Sequence, residues 1–273
     1  MATQTILSLA NAREECAEAH SPHAVRARRD RTPPTRPPVV PEAYAWYPRL
    51  KAVADFTFAA LLTIPALPMV LLAALAVKLT SRGPVFYTQT RVGKNGRLFS
   101  IIKLRTMFFD CEALTGPRWC VPGDSRVTLV GYFLRKTHLD ELPQLVNVLR
   151  GEMSLIGPRP ERPEFVPELE RALANYRQRL NLRPGVTGLA QVLLPPDTDI
   201  ESVRRKLAHD LYYVRRLSPW MDLRLLVGTA FYAIGLPFGI VGRLLGLPTS
   251  TVIERATRDL VPDAPLHRPR PAA

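Results

Sequence analysis

An acidic pair, Asp140-Glu141, stands among cations: Arg135 and Lys136 precede it, and Arg159 follows in the stiff segment Gly157-Pro158-Arg159-Pro160. The surrounding stretch, Leu134–Pro160, reads LRKTHLDELPQLVNVLRGEMSLIGPRP. Leu139, Leu142, Val146 and Leu149 recur at helical spacing and mark one apolar face. Pro143 is tolerated only in a first turn, so this helix must start near Asp140 or Glu141. Both carboxylates then lie at the positive end of a helix dipole. Two readings are open. Asp140 is an N-cap with Glu141 a first-turn partner of the dipole, or the pair handles a divalent metal and a phosphorylated substrate. The neighbouring cations and the rigid loop favour the second. The two side chains leave one turn about 100° apart, so they cannot easily share one task.

Elements on both sides must position this pair. Val85–Val92 and Leu98–Leu104 are rich in β-branched and aromatic residues, and Gly93-Lys94-Asn95-Gly96 between them has turn chemistry, which predicts a β-hairpin. Residues 107–125 read as irregular. Leu129–Arg135 and Leu139–Leu149 read as helices, and Gly151–Pro163, with three prolines, as a loop. Glu164–Leu180 and Ile200–Leu217 read as amphipathic, highly charged helices. The fold expected is mainly α with a small β-hairpin, of the α+β class.

Ahead of these elements, Phe56–Val77 runs 22 residues without a charge, long enough to cross a bilayer. Pro65 and Pro68 in its middle predict a kink. Both flanks are basic, with seven arginines before Lys51 and Lys78, Arg82, Arg91, Lys94 and Arg97 after the run. That charge pattern draws both ends to the cytoplasmic face, so a helix broken at its prolines and re-entering the same leaflet competes with a kinked crossing. A second apolar run, Leu225–Gly242, contains four glycines and Pro237 and reads as an interfacial or core helix. Four segments follow: a disordered, basic, Pro-rich tail (1–44), a membrane-inserted helix (45–80), a catalytic domain (81–220), and an interfacial helix with a polar, frayed C-terminal tail (221–273).

The chain has 273 residues, and Lys+Arg 37 against Asp+Glu 24 gives a net charge of +13. Such a surplus asks for an anionic partner: nucleic acid, anionic lipid or a phosphorylated substrate. Charge alone also permits a membrane-tethered basic binding or scaffold protein without catalysis, but no basic and aromatic nucleic-acid module accompanies it. Cys16, Cys111 and Cys120 show no metal-ligand spacing and read as free thiols.

The ordered set of motifs from Lys51 to Thr229 resembles the bacterial sugar transferases, the polyprenyl-phosphate glycosyl-1-phosphate transferases of the monotopic type. It includes Lys51-x3-Asp55, Gly83-Pro84-Val85-Phe86 and Gln89-x-Arg91-x-Gly93. Lys103-Leu104-Arg105-Thr106-Met107 and Asp124-x-Arg126-Val127-Thr128 follow. The centre is Leu134-Arg135-Lys136, Asp140-Glu141-Leu142-Pro143-Gln144 and Asn147-Val148-Leu149. Gly151-x-Met153-Ser154, Gly157-Pro158-Arg159-Pro160 and Arg183-Pro184-Gly185-Val186-Thr187-Gly188 with Gln191 complete it.

The resemblance implies a catalytic Asp140 that attacks the β-phosphate of a UDP-sugar, releases UMP and passes the sugar phosphate to undecaprenyl phosphate. It implies a catalytic Glu141 that holds Mg²⁺, with Lys103, Arg105, Arg135, Gln144 and Arg159 facing the substrate and its phosphates. It makes the apolar run a re-entrant membrane helix hairpin beneath a cytosolic helical catalytic domain at the bacterial inner membrane. The partners implied are the UDP-sugar, undecaprenyl phosphate and membrane lipids, with a homodimer as a further candidate and no nucleic acid. The pathway implied is the start of exopolysaccharide, capsule or other glycoconjugate synthesis. Leu67-Pro68 stands where the family often has Ser-Pro, which removes a hydroxyl partner for the backbone groups freed at the kink. Larger members carry further membrane helices and a domain before this core, so the chain looks like a minimal member.

Overall fold

The computed structural model describes residues 46–111, 123–195, 197, 199–233, 236 and 238–261. The tail expected over 1–44, Cys16, Cys120 and the middle of the irregular stretch lie outside the described residues.

The apolar run forms one helix, α1 (Tyr47–Thr80), of 34 residues and about 50 Å at 1.5 Å per residue. The break expected at Pro65 and Pro68 is absent: both prolines sit inside the continuous helix. Each costs one backbone hydrogen bond, to the carbonyls of Leu61 and Ile64, and the rest of a long helix carries that local loss. One stripe of α1 is buried: Lys51, Asp55, Ala59, Ala66, Ala73 and Val77 recur at steps of four and seven. The small alanines let it lie against the short helix α3 (Leu145–Leu149), which packs on its middle. The opposite side, with Phe56, Phe58, Leu61, Ile64, Leu67 and Leu72, is exposed. By length and composition α1 could cross a membrane, and so large an exposed apolar face suits lipid.

The hairpin forms as expected. Antiparallel β1 (Phe86–Val92) and β2 (Leu98–Leu104) pair from Phe86↔Leu104 to Val92↔Leu98. Their turn uses left-handed backbone at Asn95 (φ 56°) and Gly96 (φ 77°), the residue types that take it most readily. Helix α2 (Leu129–Thr137) starts on Thr128, whose Oγ1 accepts a bond from Gly131 N at 2.9 Å.

The expected Leu139–Leu149 helix is a 3₁₀ turn, Leu139–Gln144, followed by α3. A turn of three residues shifts the register, so the expected apolar face does not hold. Val146 is exposed and Leu139, Leu142 and Leu149 are half-buried, whereas Gln144, Leu145, Asn147 and Val148 lie inside. The loop after α3 contains a strand that its sequence conceals. Strand β3 (Ser154–Ile156) pairs in parallel with β4 (Gly185–Thr187), and the two backbones come too close for side chains at their glycines. A Cβ on Gly185 would meet Gly157 N at 2.1 Å. Gly185→Ala is therefore expected to cost about 3 kcal/mol, the upper end of overpacking penalties. A thermal melt of the detergent-solubilised protein checks this, and an unchanged midpoint would contradict so close an approach.

The single helix expected over Glu164–Leu180 is two pieces, α4 (Val166–Ala172) and a 3₁₀ turn, Tyr176–Asn181. Asn175 between them takes left-handed backbone (φ 60°), and its side chain donates to Leu260 O at 2.9 Å. The break thus docks the segment at Leu260 and Val261, both buried, and the tail expected beyond them lies outside the described residues. Helix α5 (Leu189–Leu193) follows β4, and α6 (Ile200–Arg215) starts on a reciprocal Asp199–Ser202 capping box. The second apolar run is divided between α7 (Pro219–Ala233) and α8 (Phe238–Leu244), and α9 (Ser250–Ala256) completes the described helices. Leu225 and Val241 lie in the core while Phe231 and Ile240 are exposed.

Candidate active site

Strand β2 and the 3₁₀ turn pack face to face, which brings Lys103 to the acidic pair. Alternation along β2 puts Lys103 on the same face as the buried Ile101 and opposite Leu104, and Lys103 meets the acidic pair there. Asn147, on α3 directly after the turn, ties that helix to β2. It is fully buried, accepts a bond from Ile102 N at 3.1 Å, and donates to Ser100 O and Glu152 Oε2 at 2.7 Å each.

Glu141 is held by two cations. Lys103 Nζ lies 2.7 Å and Arg159 Nη2 2.6 Å from its Oε1, and Arg159 Nη1 lies 3.3 Å from Oε2. Arg159 and Lys103 together keep the Glu141 carboxyl well below the usual carboxylate range despite its burial. Burial pushes the Lys103 ammonium down, and Glu141 opposes that shift. Glu141 raises the Arg159 guanidinium further.

Asp140 is buried beside this trio and behaves oppositely. Burial first, then the Glu141 charge, pushes its carboxyl up to about 6, against the pull of Lys103, Arg135 and Arg159. A short 3₁₀ turn offers little dipole, and burial outweighs the cations. At neutral pH the group remains mostly ionised. Arg135 is aimed by a bond from its Nε to Thr106 Oγ1 at 2.8 Å.

Of the residues singled out from sequence, Asp140, Glu141, Lys103, Arg135 and Arg159 thus converge. Arg105 faces elsewhere: it is buried, and its Nη2 donates to Ser81 O and Oγ at 2.8 Å each, tying the end of α1 to β2. Gln144 is buried within the turn, and its Nε2 meets no hydrogen-bond partner among the described residues.

A second buried ion network fixes the backbone of the Arg159 loop. Arg179 donates from Nη2 to Arg159 O at 2.7 Å while its Nε binds Asp210 at 2.9 Å and its Nη1 binds the Tyr176 hydroxyl at 2.9 Å. Arg91 donates to Pro160 O at 3.2 Å. Glu161 pairs with Lys206 at 3.2 Å and Arg91 at 3.7 Å, and Lys206 and the nearby arginines lower its carboxyl to about 2. Sequence reasoning missed the parts played by Arg179, Glu161 and Lys206. A charged residue in an apparently solvated helix carries no mark of the buried partner it meets.

Among the described residues no group of three His, Cys, Asp or Glu side chains could hold a metal ion. The adjacent carboxylates of Asp140 and Glu141 fit Mg²⁺ only as a shared site, completed by water and substrate phosphates, which is a common way to hold this ion.

Residues 46–235 match the family described as bacterial sugar transferase. The chain is 44% identical over 172 residues to the UDP-N-acetylgalactosamine-undecaprenyl-phosphate N-acetylgalactosaminephosphotransferase of Aeromonas hydrophila, a match covering 63% of this chain and 40% of that protein. It is 46% identical over 183 residues to the UDP-glucose:undecaprenyl-phosphate glucose-1-phosphate transferase of Caulobacter vibrioides, covering 66% and 67%. The exopolysaccharide production protein of Rhizobium leguminosarum bv. phaseoli is 42% identical over 174 residues, covering 59% and 84%. The chain thus spans less than half the length of the Aeromonas protein and about two thirds of the Caulobacter one. With the matched residues enclosing the whole Asp140–Arg159 site, the chain belongs to the bacterial sugar transferase family of enzymes.

Proposed function

We propose that this enzyme transfers a sugar 1-phosphate from a UDP-sugar to undecaprenyl phosphate, at the cytoplasmic face of the bacterial inner membrane. The observation that carries the reading is the division of labour between adjacent carboxylates. Glu141 is bound up by two cations, while Asp140 is buried with no paired cation in hydrogen-bond contact among the described residues and has a carboxylate oxygen free for an electrophile.

In the first half-reaction a carboxylate oxygen of Asp140 attacks the β-phosphorus of the UDP-sugar. The bond to the bridging oxygen breaks, UMP leaves with that electron pair, and the sugar phosphate stays as an acyl phosphate ester. In the second, an oxygen of the polyprenyl phosphate attacks the same phosphorus and restores the Asp140 carboxylate. Arg135, Lys103 and Arg159 offset negative charge on the transferring group and on UMP. Mg²⁺, held by Glu141 and Asp140 with the diphosphate, would supply further charge neutralisation there.

Membrane placement follows from how α1 is anchored. Near its start Lys51 pairs with Asp222 of α7 at 2.7 Å, and just past its end Ser81 O accepts from Arg105. Both ends are thus held by one folded unit, which favours an unbroken α1 that lies along one face of the membrane, with both ends cytoplasmic, over one that crosses it. The exposed apolar side then meets lipid, and the acceptor phosphate reaches Asp140 at headgroup level.

Incubating the full-length protein in detergent with a panel of UDP-sugars and no lipid is expected to release one UMP per chain for the cognate sugar. The protein should gain the mass of one sugar phosphate on the Asp140 peptide, and hydroxylamine should remove it. UMP release only when undecaprenyl phosphate is added, with no adduct, would replace the two-step route by direct displacement.

A further inference from the structure

The charges around Glu141 bear on how substrate and metal arrive. Lys103 and Arg159, the cations best placed to grip a diphosphate, are both engaged by Glu141, at 2.7 and 2.6 Å. Glu141 is at the same time the carboxylate best placed to help hold a divalent ion, and its side chain is only 13% exposed. A divalent ion entering alone would add two positive charges to a half-buried cluster and press against both cations. A diphosphate entering alone would meet the Glu141 and Asp140 carboxylates. Together, the ion and a doubly charged diphosphate leave the net charge of the cluster unchanged.

The geometry also allows an exchange. Arg159 is the most accessible member, its side chain 38% exposed, while its backbone is pinned by Arg179 to Arg159 O at 2.7 Å. Its guanidinium can therefore swing from Glu141 to a phosphate about a fixed pivot. Resting on the transferase reading above, we propose that Glu141 is an internal stand-in for the substrate diphosphate. In the free enzyme it occupies Lys103 and Arg159. When a nucleoside diphosphate arrives with a divalent ion, the two cations pass to the phosphates and the released carboxylate takes the ion. Metal and nucleotide then bind as a unit, and the site rejects each alone.

The test uses full-length protein in detergent micelles, with UDP and Mn²⁺ as probes. Glu141→Gln keeps the size of the side chain but removes the charge that competes for Lys103 and Arg159. In EDTA it is expected to bind UDP about 5- to 10-fold more tightly than wild type by calorimetry, whereas loss of an ordinary substrate contact would weaken binding. For wild type, the free-Mn²⁺ EPR signal should show uptake of one ion per chain at least about tenfold tighter with UDP than without, after subtraction of the Mn²⁺–UDP complex formed in buffer. The proposal is overturned if Glu141→Gln binds UDP in EDTA no better than wild type. It is equally overturned if wild type takes up Mn²⁺ as tightly without UDP, a measurement that needs no variant. Wild type that binds UDP but fails either comparison loses only the exchange. Wild type that binds no UDP with or without Mn²⁺ loses the transferase reading and the exchange together.

Discussion

Asp140→Asn is expected to abolish sugar-phosphate transfer, lowering the rate by about 10³-fold or more as removal of a nucleophile does, and to make the folded protein more stable at neutral pH. The second half follows from burial. The Asp140 carboxyl is pushed from its ordinary value up to about 6, so its ionised form is disfavoured in the folded state. A raised carboxyl contributes stability in its protonated form. That contribution is complete below the unfolded value near 3.8 and is lost as pH rises through about 6. Asparagine imitates the protonated group at every pH. The variant should therefore exceed wild type by about 3 kcal/mol at pH 7.5, roughly 6–12 °C in melting midpoint, and by almost nothing at about pH 3. The same titration predicts that UMP release falls on the acid side with a midpoint near 6. A variant no more stable than wild type at pH 7.5 would show that the surrounding cations offset the burial. A variant with substantial activity would remove Asp140 from the chemistry. Natural sites of this kind give up stability for reactivity.

Asp222→Ala is expected to produce the largest loss of stability, because three groups converge on that carboxylate. Lys51 Nζ lies 2.7 Å away, and the hydroxyls of Tyr47 and Tyr213 each donate to it at 2.6 Å. Removing it leaves the buried Lys51 ammonium, among the described residues, with only Asp55, at 3.5 Å. Breaking a buried pair from one side costs about 3–5 kcal/mol. The loss should appear as a lower melting midpoint and as faster proteolysis near Tyr47. Asp55 is itself spoken for, accepting from Ser154 Oγ at 2.6 Å and Leu155 N at 3.3 Å, so it cannot compensate fully. Removing both charges, with Lys51→Met added to Asp222→Leu, should recover most of the stability, since no uncompensated charge remains. A melt of Asp222→Ala within a degree of wild type would show that this cluster does not hold α1 to the catalytic unit.

Much of the protein is legible in its sequence because the signals are local. The uncharged run from Phe56 to Val77 needs only its own composition to be an apolar helix, and α1 contains all of it. The hairpin follows from two β-rich runs and a turn whose Asn95 and Gly96 accept left-handed backbone. The Asp140-Glu141 pair, its neighbouring cations and the rigid Arg159 loop stand out by residue type and order, and those same residues carried the family resemblance.

What the chain does with these residues depended on pairings between distant segments. Nothing local sets the partners of Glu141, because Lys103 comes from a strand and Arg159 from a loop on its other side. Arg105 and Lys103 look alike two residues apart, yet only the folded chain turns one toward Ser81 and the other toward the acidic pair. The apolar face expected over Leu139–Leu149 failed because a 3₁₀ turn changes the period, a choice made where the turn packs against β2. The parallel pair of β3 and β4 is three residues per strand, too short to give a pattern, and is held by the close approach of Gly157 and Gly185. Burial, finally, decided the protonation of Asp140. Sequence placed it among cations, and only the packed structure removed enough water for burial to outweigh them.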